Sequence, residues 1–153
     1  MAAVSAGLLL YRVTDGELQV LLVHPGGPFF AKKDLGFWSI PKGQPDEGEE
    51  LFAAAHRELG EETGFTAPGE SLPLGETKQK NGKLVHAWAV RGDANPAQLR
   101  SNSFELEWPP RSGRKRAFPE VDRAAWFSLE EARRKINSAQ AVFLDRLRAA
   151  VLP

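Results

Sequence analysis

The 153-residue chain contains no cysteine, which excludes disulfide bridges and thiol chemistry. It also carries no net charge, so it lacks the broad positive field of a protein that coats nucleic acid. The apolar run 4–11 stops at Arg12, is too short to span a bilayer and has no basic leader before it. We therefore expect a cytoplasmic protein with no membrane partner and no stable nucleic-acid partner.

Internal repeats, low-complexity segments and linkers between domains are missing as well. A chain of this length is large enough to bury a core of its own. We expect one domain over residues 1–153.

The zero net charge is unevenly distributed along the chain. Residues 43–65 hold seven carboxylates and one arginine, a local balance of −6. Like charges at helical spacing repel each other by roughly 0.2–0.5 kcal/mol per pair. A divalent metal ion is one way to offset that repulsion, so this segment is the first place to look for a site.

Apolar periodicity and turn signals outline the secondary structure. A hairpin is predicted from the runs 6–11 and 18–23, and a helix from about Glu49 to Thr63 that ends at Gly64. The remaining predicted strands cover 37–40, 72–78, 84–90, 104–108 and 124–127, and two further helices begin near Ser128 and Ala139. Because strands and helices do not alternate strictly, an α/β or α+β sandwich of helices on a sheet is predicted.

A helical wheel places two of the acids on the core side of the predicted helix. Glu58 and Glu62 fall within or beside the apolar stripe, and Glu61 lies one step further out. The stripe itself consists of Leu51, Phe52, Ala55 and Leu59. A solvated acidic face would put its acids opposite the stripe, and an unpaired buried carboxylate costs several kcal/mol. The pattern favours a metal site over a solvated face.

Arg57 lies four residues before Glu61 and eight after Glu49, so it can reach either carboxylate. A planar guanidinium between acids orients them without competing for metal. The alternative is a surface ion pair of little energetic value. Glu49 is out of phase with Glu58 on a regular helix. It either reaches the site from the junction of loop and helix or supports Arg57.

The segment Trp38-Ser39-Ile40-Pro41-Lys42-Gly43 leads into the acids. A lysine beside a metal site is a natural phosphate contact, and an aromatic ring offers a binding surface, so Lys42 and Trp38 are candidate substrate contacts. Gly43 and Gly48 bracket the following loop, where glycine allows either a close approach to a ligand or simply a turn.

The spacing of Gly43, Glu49, Arg57-Glu58-Leu59, Glu61-Glu62 and Gly64-Phe65 resembles the signature box of the Nudix hydrolases. Every fixed position of that box is filled. The resemblance implies an α/β/α sandwich around a mixed β-sheet, with the box forming a loop-helix-loop. It also implies hydrolysis of a nucleoside diphosphate linked to another group, with Mg²⁺ or Mn²⁺ as cofactor.

The family pattern also implies roles for individual residues. Glu58, Glu61 and Glu62 would bind the metal ion together with the backbone carbonyl of Lys42 or Gly43, and Glu49 and Arg57 would support them. Glu58 is one candidate general base. In this family a glutamate on a later loop often takes part, and Glu120 is the candidate here, although a solvated loop acid is an equal alternative. We expect Glu58, Arg57 and Glu120 to form the catalytic group.

The approach Trp-x-x-Pro-Lys-Gly resembles the branch that cleaves diadenosine polyphosphates. A dinucleoside polyphosphate or a nucleoside triphosphate is therefore the expected substrate. ADP-ribose or a nucleotide sugar is the alternative, as is a non-catalytic module that senses nucleotides, and the family leaves room for a homodimer. An EF-hand-like calcium loop is disfavoured because alternating Asp and Asn ligands are missing.

Two sets of residues outside the box have open roles. Base-stacking aromatics or core and loop anchors are the alternatives for Phe29, Phe30, Trp88 and Trp108. The basic run 111–116 is either a solvated loop or closes over a polyphosphate. His24, His56 and His86 lack metal-ligand spacing.

Overall fold

A mixed six-stranded sheet forms the centre of the molecule and carries helices on both faces. The computed structural model describes residues 3–152. Its main path has the strand order β4-β5-β1-β2-β8, in which β1 runs parallel to β5 and antiparallel to β2. These strands are β1 (Val4–Thr14), β2 (Glu17–Pro25), β4 (Ser71–Lys78), β5 (Leu84–Arg91) and β8 (Val121–Ser128). The predicted mixed sheet is confirmed.

The alternation of side chains along β1 separates two hydrophobic cores. Leu8 and Leu10 point to one face, where they pack with helix α1 (Leu51–Thr63). Leu9 and Tyr11 point to the other face, which is covered by α2 (Leu129–Lys135) and α3 (Ala141–Val151). Because successive strand residues face opposite sides, one central strand supports both layers. The predicted α/β/α sandwich is confirmed.

A short strand, β3 (Lys42–Gly43), inserts beside β1 and carries the start of the box into the sheet. Its two residues pair with Gly7 and Ala6 of β1. The strand predicted over 37–40 is wrong, because that segment makes only isolated bridges, one from Trp38 and one from Ser39. Regular pairing resumes only after Pro41, which has no N–H to donate.

Helix α1 begins at Leu51, two residues later than expected, and ends at Thr63 as expected. Gly64 adopts φ 77°, and its N–H donates to the Gly60 carbonyl at 2.8 Å, which closes the last turn. Ala55 and Leu59 are buried as the wheel predicted. Phe52 is not: it is 38% exposed, because it lies over the edge of Trp88 at the rim of the core.

A separate two-stranded hairpin projects from the main sheet. It consists of β6 (Ser103–Glu107) and β7 (Lys115–Pro119), and we call residues 103–119 the arm. The sequence predicted the first strand and placed the basic run 111–116 entirely in a loop. The structure places Lys115 and Arg116 in β7, paired with Glu107 and Leu106.

None of the helices within residues 3–152 is both long enough and apolar enough to cross a membrane.

Candidate active site

The box brings its first glycine against its first metal-ligand candidate. A Cβ atom on Gly43 would lie 2.1 Å from the carboxyl carbon of Glu58 and 2.3 Å from each of its oxygens. The Glu58 carboxylate, at the end of a side chain of α1, therefore lies directly on the backbone of β3, in space that any side chain at position 43 would need. Gly43 is glycine because of this close approach and not because of its dihedral angles.

Arg57 connects three acids of the box through its guanidinium. Its Nε and Nη2 donate to the two carboxylate oxygens of Glu49 at 3.0 and 2.9 Å. Its Nη1 donates to Glu58 and to Glu61, both at 3.0 Å. Nη2 also donates to the carbonyl of Gln44 at 3.0 Å. The sequence left either Glu49 or Glu61 as the partner of Arg57, and the structure shows contacts with both.

Glu49 lies at the junction of loop and helix. In addition to the paired contact with Arg57, its carboxylate accepts the backbone N–H of Asp46 at 2.9 Å. The hydrogen bonds from Arg57 hold the pKa of Glu49 below its usual range. Glu49 is therefore a stable anion that joins the loop to the helix.

The two inner acids, Glu58 and Glu62, have raised pKa values, in contrast to the lowered pKa of Glu49. The Glu58 side chain is 13% exposed and that of Glu61 is 44% exposed, in agreement with the wheel. Burial of its carboxyl group, and then the negative charge of Glu58, raise the pKa of Glu62 to about 8, against the lowering effect of Lys42. Burial also raises the pKa of Glu58, although Arg57 opposes it. Neighbouring protein groups do not fully compensate these two carboxylates.

Glu120, which directly precedes β8, lies close to Glu62. Its negative charge adds to the rise in the pKa of Glu62. Together with Lys42 and Glu62 it lines a cleft of about 200 Å³ that opens beside Phe37. The Glu120 carbonyl accepts the N–H of Gly26 at 2.9 Å, which ties this residue to the end of β2. The structure thus brings together residues that lie far apart in sequence.

The donor set fits a hard divalent cation, because carboxylate oxygens lie beside a backbone segment and carry uncompensated charge. Within residues 3–152, no group of three acidic or histidine side chains lies at ligating separation. Glu61 lies further out, since its side chain is 44% exposed against 13% for Glu58, although both carboxylates accept from Arg57. Glu58, Glu62 and Gly43 meet in space, and the assignment of Glu61 as a ligand stays a prediction.

A second, larger cleft of about 540 Å³ adjoins the first and shares Lys42 with it. Its walls include the exposed rings of Phe30 and Phe37 on one side and the turn residues Lys80 and Asn81 on the other. Of the four aromatics with open roles, Phe30 lines this cleft. The others are engaged elsewhere: Phe29 contacts Trp108 at a ring separation of 5.5 Å, and Trp88 contacts Phe52 at 5.2 Å.

Trp38 lies under this region and not on its surface. Its ring is 4% exposed and packs against His24 and Phe127, and its indole N–H donates to Asp34 at 2.8 Å. Little of the ring is left for a substrate to contact. This position favours support of the loop over the direct contact that the sequence suggested.

Sequence reasoning missed two buried polar residues that hold the walls of the clefts. His24 lies 2.7 Å from Asp122 and 2.6 Å from the carbonyl of Lys33, which joins the start of β8 to the loop before Trp38. Gln140 accepts the N–H of Ile40 at 3.0 Å, just before Lys42. Neither residue belongs to a motif, so only the tertiary contacts identify them.

Comparison with known proteins identifies the family to which the chain is similar. The NUDIX domain matches residues 1–147. The chain is similar to an asymmetrical bis(5'-nucleosyl)-tetraphosphatase of Caenorhabditis elegans, with 36% identity over 66 residues, 43% of this chain and 44% of the relative. It is also similar to an RNA pyrophosphohydrolase of Novosphingobium aromaticivorans, with 47% identity over 64 residues, 39% of this chain and 38% of the relative.

A third relative, Nudix hydrolase 10 of Arabidopsis thaliana, is 69% identical over 30 residues, 20% of this chain and 11% of the relative. The matched segments thus span less than half the length of all three curated relatives.

Among solved structures, a Caenorhabditis elegans Ap4A hydrolase binary complex is 25% identical, with 98% of each chain covered and a TM-score of 0.66. The NUDIX domain of Shewanella oneidensis NrtR complexed with ADP ribose is 17% identical, covers 99% of this chain and 89% of that chain, and has a TM-score of 0.67. At that identity the second likeness concerns the fold alone. With the box complete, the sandwich present and residues 1–147 matched by the NUDIX domain, the chain belongs to the NUDIX domain family.

Proposed function

We propose that the protein is a divalent-metal-dependent pyrophosphohydrolase that cleaves a phosphoanhydride bond in a nucleotide. The observation that carries the proposal is the pair of inner carboxylates, Glu58 and Glu62, whose pKa values are raised by burial beside the Gly43 backbone. Ionisation of an acid that is costly without a partner becomes favourable once a cation neutralises the charge. Mg²⁺ or Mn²⁺ is the cofactor that oxygen ligands of this kind select.

Glu58, Glu62 and the Gly43 carbonyl would hold the cation in this proposal, and Glu61 would be a further ligand. A bound divalent cation neutralises phosphate charge and lowers the pKa of a coordinated water molecule. Arg57 keeps Glu58 aligned, while Glu49 keeps Arg57 in place through its paired hydrogen bonds. Lys42 binds a phosphate oxygen as a point charge at the entrance of the cleft.

Glu120 accepts a proton from the attacking water molecule. It lines the same cleft as Glu62 and Lys42, and it comes from a different segment of the chain than the box. Glu58 is the second candidate for this step. Its contact with Arg57 favours its ionised form, but it is not among the residues that line the cleft with Glu62 and Glu120. A proton acceptor in this position contributes about 10²–10⁴-fold to such a reaction.

A dinucleoside polyphosphate is the substrate we favour. The resemblance of the approach segment and the curated tetraphosphatase relative support this choice. The larger cleft beside Lys42 has room for a nucleoside, and its exposed Phe30 and Phe37 rings offer surfaces for base stacking. ADP-ribose is the second candidate, favoured by the fold shared with a domain complexed with that ligand. A module that only senses nucleotides is disfavoured, because every acid of the box is present.

A panel of nucleotides, incubated with Mg²⁺ and analysed for product identity, tests the proposal. Diadenosine tetraphosphate, nucleoside triphosphates, ADP-ribose and nucleotide sugars form the panel. We expect diadenosine tetraphosphate to be cleaved well above the others. Preferred cleavage of ADP-ribose would replace the substrate but keep the reaction. Absence of metal-dependent cleavage across the panel would overturn the enzymatic proposal in favour of a sensing module.

A further inference from the structure

The arm presents a group of cations that the rest of the protein leaves unpaired. Arg111, Arg114, Lys115 and Arg116 are all exposed. None of the four makes an ion pair within 4.0 Å among the described residues, whereas Arg57 and Arg133 elsewhere do. Lys115 lies directly opposite Glu107 in the hairpin register and still forms no ion pair with it. The arm carries these four cations against two carboxylates.

The arm is not needed to cover the core, because its two strands form a sheet of their own. It is nevertheless rooted at the candidate active site. Just before the arm, the N–H of Asn102 donates to the Glu61 carbonyl at 2.7 Å. Just after it comes Glu120, which lines the cleft with Glu62. Both ends of the hairpin therefore start from the group of acids.

The loop after β2 extends this surface along the arm. A Cβ atom on Gly27 would lie 3.0 Å from the Phe104 ring, and the Phe29 ring lies 5.5 Å from that of Trp108. Arg116 lies over the Phe118 ring with 5.6 Å between its guanidinium carbon and the ring centroid. Cations together with exposed aromatic rings are typical of surfaces that bind single-stranded nucleic acid, where cations contact phosphates and rings contact bases.

The length of the arm indicates which kind of anion it can bind. Five residues of strand at about 3.4 Å each extend roughly 17 Å from the cleft, which matches a few successive phosphates of an extended single strand. A single mononucleotide is too short to contact both the cleft and the tip. A continuous polyanion that begins at the acids and follows the arm contacts both.

We propose that the arm binds single-stranded nucleic acid, with phosphates held by Arg111, Arg114 and Lys115 at its tip. The zero net charge of the whole chain predicted no such partner, but that average hides the opposite charges of the box and the arm. The proposal concerns binding alone, and it stands whichever small nucleotide the carboxylates act on.

The test compares two triple variants of the full chain that remove equal charge. The arm variant combines Arg111→Asn, Arg114→Gln and Lys115→Gln. Asparagine is used at position 111 because the backbone there has φ 63°, which asparagine tolerates, and Arg116 is kept because it stacks on Phe118. The control combines Lys83→Gln, Arg134→Gln and Arg148→Gln, three exposed cations outside the arm. Circular dichroism and thermal unfolding verify that both variants fold.

Fluorescence anisotropy measures binding of a 3'-labelled, 5'-monophosphorylated single-stranded RNA of about ten nucleotides over a series of salt concentrations. We expect the arm variant to bind at least about tenfold more weakly. We also expect its slope of log K against log salt to be smaller by about 2, or about 0.7 for each lost phosphate contact. The control variant should keep the affinity and the slope of the original protein.

Three results would overturn the proposal. The first is that the original protein fails to bind the RNA. The second is that both variants lose affinity equally, which would show an effect of net charge alone. In the third, inorganic polyphosphate with a similar number of phosphates displaces the RNA more strongly than unlabelled RNA does. The arm would then be a polyphosphate site.

Discussion

Glu49 and Glu62 belong to the same box, yet their surroundings push their pKa values in opposite directions. Glu49 accepts hydrogen bonds from Nε and Nη2 of Arg57 and one from the Asp46 backbone, and its pKa is lowered. Glu62 is half-buried next to Glu58, and its pKa rises to about 8. The comparison teaches that a paired carboxylate maintains the structure, whereas a buried one without a sufficient partner prepares a site for a cation.

The largest effect should come from removing the Glu62 carboxylate. Glu62→Gln keeps the shape of the side chain but removes an oxygen ligand, so kcat/KM for the preferred nucleotide should fall about a hundredfold or more. Steady-state kinetics with saturating Mg²⁺ measures it. Glu47→Gln is the control, because Glu47 is an exposed acid of the same box and should retain full activity. Equal activity of the two variants would remove Glu62 from the site.

The second effect concerns the space in which the inner acids lie. Gly43→Ala should displace the Glu58 carboxylate, because the new methyl group overlaps the end of that flexible side chain, so kcat/KM should fall about tenfold or more while the free energy of unfolding changes little. Gly60→Ala is the control: this glycine lies within α1 with no atom within 4 Å of its added Cβ, and alanine should stabilise the helix by up to about 1 kcal/mol. Steady-state kinetics and urea unfolding measure these changes. Full activity of Gly43→Ala would contradict the close approach of Glu58.

The third effect concerns Glu49 and Arg57, the hydrogen-bonded pair of the comparison. Arg57→Lys keeps the charge but cannot reproduce the fork that contacts Glu49, Glu58 and Glu61, so kcat/KM should fall about tenfold. Glu49→Gln, which leaves Glu58 and Glu61 paired, should cost less. Kinetics of both variants under the conditions used for Glu62→Gln gives the ranking. A larger loss for Glu49→Gln than for Arg57→Lys would reverse the roles we assign.

The smallest effect is a pH dependence of stability in metal-free protein. The folded pKa of Glu62, about 8, lies above its ordinary value of 4.5, so between these values the folded state binds more protons than the unfolded state. Stability from this group is therefore full at low pH and is lost as pH rises through about 8. Thermal unfolding with EDTA should give a midpoint that falls over this interval, and Glu62→Gln should flatten the decline. An unchanged slope in the variant would assign it to another group.

The sequence predicts the box helix well because its signals are local. Helical spacing places Glu58 and Glu62 beside the core, and a glycine at position 64 ends the helix with positive φ. The same wheel fails for Phe52, because that residue lies at the rim, where Trp88 covers only one edge of its ring. Periodicity gives the direction of a side chain but not how far the neighbouring layer extends.

Contacts between distant segments could not be predicted in the same way. Glu120 was proposed from its place before the last strand, and only the sheet topology brings it to the cleft of Glu62. His24 and Gln140 were missed because their partners are brought near only by the fold. Strand β7 was missed because its charged residues Lys115 and Arg116 have no alternation of the usual kind, and its pairing with β6 supplies the order.

The most direct test of the central claim is a titration with Mn²⁺, followed by the loss of the free-ion electron paramagnetic resonance signal. The original protein and Glu47→Gln should bind the ion with equal affinity, and Glu62→Gln should bind it at least about tenfold more weakly. If all three proteins bind Mn²⁺ alike, or none binds it, the buried carboxylates do not form the metal site.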